Sequence, residues 1–172
     1  MKKTTALFTL IFTMMILTAS AMGLYKKNTI EKLIITQKDI PQGFVIGKIP
    51  RGAEMVFKGN PWFLDQPAIQ KLAGRIYPGG DYHRINSIHV TILADQQRPY
   101  NDNIVCYVIL YRDASGARDE IKKLNDYVGF NNDRAILIPR DNLAVFLLVD
   151  DVKDYPLIKA MSETIESRIK EI

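Results

Sequence analysis

Three amphipathic stretches, each preceded by a pair of strand-like runs, constrain this chain more than any other feature of its sequence. Ile69, Leu72, Ala73 and Ile76 recur at i, i+3, i+4 and i+7, which lines one side of a helix with apolar side chains. Ala117, Ile121, Leu124 and Val128 repeat the pattern, and so do Ile158, Met161, Ile165 and Ile169. Between them the period drops to two. Residues 87–94 alternate Ile88, Val90 and Ile92 against His89 and Thr91, and 103–111 form a more continuously apolar run suited to a central strand.

Turn chemistry supplies the boundaries. Pro41 and Gly43 mark a turn ahead of a strand over 44–49, and 53–58 reads as that strand's hairpin partner; 33–36 reads as a short first strand. Pro67 suits the first turn of the helix that carries Ile69 to Ile76, and Tyr77-Pro78-Gly79-Gly80 stops it. Asp113 or Ser115 can cap the 117–128 helix. Residues 134–138 and 143–149 read as a hairpin, and Pro156 opens the last helix. The predicted fold is α+β: an antiparallel or mixed sheet of about six strands, with three helices packed mainly on one face.

The N-terminus carries a separate signal. Lys2 and Lys3 precede an uncharged stretch, 4–25, whose apolar middle ends in Ala19-Ser20-Ala21. A basic start, an apolar centre and small residues at −3 and −1 describe a secretory signal peptide over 1–21. The same stretch is also long enough to stay uncleaved as a membrane anchor ending near residue 25. A polar tether over 22–32 and a single domain over 33–172 would follow. The expected location is the periplasm or the extracellular side, or the cytoplasmic membrane if the segment is retained. Lipid attachment at the cleavage site needs a cysteine there, and the single cysteine is Cys106, inside an apolar run where a buried, inert thiol is expected.

Charge and motifs narrow the function. Lys2 and Lys3 account for half of the formal +4, and the remaining basic residues alternate with acids rather than forming the stripe that nucleic acid requires. Neither a Gly-x-Ser-x-Gly nor a phosphate-binding Gly-x-x-x-x-Gly-Lys occurs, and His-Glu-x-x-His and Cys-x-x-Cys are missing too. His83 and His89 are the two histidines and lack further ligands nearby, so neither a metal nor another cofactor is expected. The aspartates at 150, 151 and 154 lack calcium-loop spacing and suit a solvated helix entry.

The best candidate site is the loop 77–84 after the first of these helices. Tyr77, Asp81, Tyr82, His83 and Arg84 gather an acid, a base, a guanidinium and two phenols around two glycines. His83 can exchange a proton near neutral pH, and Arg84 can grip a carboxylate or phosphate. The expected function is an exported, non-enzymatic binding module for an envelope protein or small ligand. The alternatives are an envelope hydrolase or transferase using this loop, and a membrane-anchored subunit of a larger complex.

Overall fold

The computed structural model describes residues 24–54 and 56–172. The export segment lies outside the described residues, and among those described no helix is long and apolar enough to cross a membrane. In chain order the elements are α1 (Lys27–Leu33), β1 (Phe44–Ile46), β2 (Trp62–Phe63), α2 (Gln66–Ile76), β3 (Ile85–Asp95), β4 (Ile104–Tyr111), α3 (Ala114–Phe130), β5 (Ala135–Arg140), β6 (Leu143–Val149) and α4 (Tyr155–Lys170). The result is the expected α+β class, with six antiparallel strands ordered β1-β3-β4-β6-β5; β2 joins β1 on the same edge of β3.

Helices cover both faces of this sheet rather than mainly one. Ile30 and Leu33 of α1 and Ile158 and Ile165 of α4 pack with Ile104, Val108, Val145 and Leu147. On the opposite face, Ile69 and Ala73 of α2 and Leu124 of α3 pack with Ile88, Ile109 and Phe146. The reason is visible in β4 and β6. Nearly every residue in them is buried, so both faces need cover, whereas an alternating strand would have left one wet. Each fully buried aliphatic side chain here contributes roughly 1.5–3 kcal/mol.

Side chains cap two of the helices, at Asp113 as the sequence indicates. Asp65 accepts from the Ala68 N–H at 3.0 Å to start α2, and Asp113 accepts from the Gly116 N–H at 2.7 Å to start α3. The β5–β6 hairpin turns at Asp141, whose φ is +46°.

Two strands expected near the N-terminus are absent. Residues 27–33, split in the sequence reading between a tether and a first strand, form α1, held by the burial of Ile30 and Leu33. Tyr25 just ahead of it is pinned to Asn142: its N–H donates to Oδ1 at 2.8 Å and its carbonyl accepts from Nδ2 at 3.1 Å. The expected 44–49/53–58 hairpin does not form either. β1 pairs with β3 in the register Phe44↔Asp95, and Arg51–Ala53 is a 3₁₀ turn. The eleven-residue β3 has more edge than β2 can pair, and this long-range partner outcompetes the local one.

Asn60 fills the gap that β1 and β2 leave on that edge. Its amide donates to the carbonyls of Gly47 (2.8 Å) and Ile92 (2.6 Å), and its oxygen accepts from the Ile92 N–H (2.9 Å). One side chain thus stands in for a missing strand residue, leaving no orphaned peptide group at Ile92.

Candidate functional site

The loop from Tyr77 to Arg84 joins α2 to β3, and its shape follows from its glycines. Gly79 has φ +74°, a left-handed conformation that glycine adopts without strain. At Gly80 a Cβ would lie 2.4 Å from the Ala73 carbonyl oxygen, so no side chain fits there. The chain is thereby folded back tightly against the end of α2.

Beneath the loop lies a buried carboxylate. Glu120 of α3 is 1% exposed, and its Oε2 accepts from the Tyr77 hydroxyl at 2.7 Å and the Asp81 N–H at 3.0 Å. Lys123, one turn along α3, donates to Glu120 Oε1 and, at 2.7 Å, to the Gly79 carbonyl. Burial holds the Tyr77 phenol far above its ordinary pKa, so it remains a donor. The negative charge is therefore met by a cation and two N–H or O–H donors, the condition for keeping a carboxylate inside a protein.

The five candidate residues divide between two sides. Tyr77 points inward to Glu120 and is fully buried. The Asp81 carboxylate turns back on its own loop and accepts from the His83 N–H at 2.9 Å, with Arg84 Nε 4.0 Å away. Tyr82 and His83 stack, ring centroids 3.9 Å apart, and His83 and Arg84 are exposed. Arg112 ties the loop to the end of β4 by donating to the His83 carbonyl at 2.9 Å. No acid among the described residues hydrogen-bonds the His83 ring, so acid and base are not paired there.

Glu120 and Lys123 did not figure among the candidates. Glu120 had a readable signal: it lies three residues after Ala117 and four before Leu124, on the apolar stripe of its helix. An acid at such a position calls for a buried partner.

The other chemically capable groups stand apart. His89 is buried in β3, with Phe63 packed edge-on at 4.8 Å, and burial pulls its pKa down to about 4. Cys106 is a buried free thiol whose pKa burial pushes up to about 12. Among the described residues, no group of three or more His, Cys, Asp or Glu side chains is placed to hold a metal ion.

Cavities open on the surface away from the 77–84 loop. One, of about 340 Å³, is an apolar groove between residues 35–41 and α4, lined by Ile35, Ile40, Leu157 and Met161. Two others lie on the sheet face that α2 and α3 only partly cover. No protein-family model matches the chain, and neither a curated protein nor a solved structure resembles it significantly.

Proposed function

We propose that this chain is an exported, non-catalytic envelope domain that binds a protein partner through Tyr82, His83 and Arg84. The observation that carries the reading is the two-sided build of the loop. Glu120 and Lys123 hold its backbone from within, while an aromatic pair and a guanidinium face outward. A loop already ordered loses little entropy on binding, and Tyr and Arg are the side chains that most often dominate protein interfaces. Delivery to the envelope rests on the basic start and uncharged stretch at 4–25. Catalysis by this loop would need His83 paired with an acid, and Asp81 is engaged with the loop's own backbone.

The test is site-specific cross-linking in the native host. A photoreactive residue at Tyr82 should trap one discrete envelope protein, and Arg84→Ala should cut that product about tenfold, with folding unchanged because Arg84 is exposed. An undiminished cross-link in Arg84→Ala, or turnover of ester or phosphate substrates abolished by His83→Ala, would overturn the reading.

A further inference from the structure

The geometry points to a second, independent site: a trough on the sheet face carrying α2 and α3, built to take a neutral saccharide. Its floor is a rung of three side chains on adjacent strands, Ile92↔Val105↔Leu148. All three are only half-buried, because α2 and α3 stop short of this end of the sheet. One rung deeper, Val90 and Phe146 are fully covered, while Tyr107 between them stays half-buried.

Two cavities open over this floor, and Asp102 lines both. The first, about 190 Å³, lies under the 48–57 segment and is bordered by Phe57 and Tyr100. The second, about 340 Å³, lies toward the end of α3 and is bordered by Tyr107, Tyr127 and Arg134. These volumes fall at or below the low end of the small-molecule range, which suits a ligand of one to a few rings.

The lining selects the chemistry of that ligand. Lys48 and Arg134 balance Asp102 and Asp150, so the trough offers no net charge to a strongly ionic ligand. Among the described residues, the hydroxyls of Tyr100, Tyr107 and Tyr127 have no hydrogen-bond partner, and the Asp102 carboxylate is likewise unpaired. Burial, with the Asp102 charge nearby, pushes the Tyr107 phenol up to about 12, so it remains a donor across the physiological range. An apolar floor, aromatic sides and a rim of free donors and acceptors fit a ring with a C–H face and a hydroxyl edge. An extended peptide is disfavoured. β3, β4 and β6 are each hydrogen-bonded on both sides and offer no free edge for strand addition.

The experiment is a calorimetric and NMR titration of the full chain, in the processed form its host yields, with cellotetraose, maltotetraose and chitotetraose. At least one should bind with a dissociation constant of about 1 mM or tighter, with amide shifts centred on Val105, Tyr107 and Leu148. Asp102→Asn should weaken it about tenfold, and Tyr107→Phe, which keeps the ring, several-fold. Tyr82→Ala should leave it unchanged, which separates this site from the 77–84 loop. Silence from all three sugars at about 10 mM would overturn the proposal. So would binding indifferent to both variants, or a short neutral peptide shifting the same amides while the sugars do not.

Discussion

Glu120 shows how much one side chain can organise. With Tyr77, Lys123 and the Asp81 N–H all directed at it, removing its charge leaves donors stranded in the interior. Glu120→Ala is expected to cost roughly 3–5 kcal/mol and Tyr77→Phe roughly 1–3 kcal/mol, measured by urea unfolding. A loss below 0.5 kcal/mol in both would show that the cluster does not hold the loop. His89 gives a pH-dependent counterpart. Its folded pKa of about 4 lies below the ordinary 6.5, so between those values the unfolded chain binds a proton that the folded chain does not. Stability should therefore fall as pH drops below 6.5, by about 3 kcal/mol once pH 4 is passed, and His89 should contribute no slope above 6.5. His89→Leu should flatten the unfolding midpoint between pH 6.5 and 4.5; a slope as steep as that of the unaltered protein would refute the assignment. Neighbouring Ser87 and Thr91 share the burial of His89, and none of Ser87 Oγ, His89 Nδ1 and Thr91 Oγ1 has a partner among the described residues. The alternation of residues 87–94 was legible in the sequence. The depth of the polar row was not, because it depends on the elements packed over that face of β3.

The elements differ in how far their own residues explain them. α2, α3 and α4 have periodicity and sufficient length, α2 and α3 also have side-chain caps, and the sequence places all three; α3 begins three residues earlier than expected, since Asp113 rather than Ser115 caps it, and runs two residues further, through Gly129. α1 is different. Seven residues with two lysines, started by one 3.3 Å bond from the Lys26 N–H to Thr29 Oγ1, would not stay helical alone, and burial of Ile30 and Leu33 makes the helix. Ile30→Ala should cost about 2–5 kcal/mol and raise amide exchange across 27–33 more than across α3. β1 and β2 depend equally on a distant partner. Asn60 seals the gap between them, so Asn60→Ala should cost roughly 1–3 kcal/mol and accelerate exchange of the Ile92 amide specifically. Unchanged exchange at Ile92 would mean that the Asn60 side chain is dispensable to that edge.

At the scale of the whole molecule, the central question is delivery and orientation. The composition of residues 1–25 leads us to expect a mature chain beginning at Met22 when the protein is recovered from its host and its N-terminus sequenced; a chain retaining Lys2 and Lys3 would favour the anchored form. The two proposed surfaces, the 77–84 loop and the trough around Asp102, use separate residues, so one can fail without the other. By itself, the sequence determined what neighbouring residues settle between themselves: the α+β class, the three long helices and the cap of α3, the β5–β6 hairpin, and a loop dense in polar groups after α2. These follow from interactions that act within a few positions along the chain. Only the tertiary structure decided the covering of both sheet faces, the pairing of β1 with β3, the existence of α1, and the division of the loop into an inner and an outer side. Each of those rests on contacts that span long stretches of chain, as between Tyr77 and Glu120, 43 positions apart, or Tyr25 and Asn142, 117 apart. Local periodicity carries no information about which distant residue will meet the buried group.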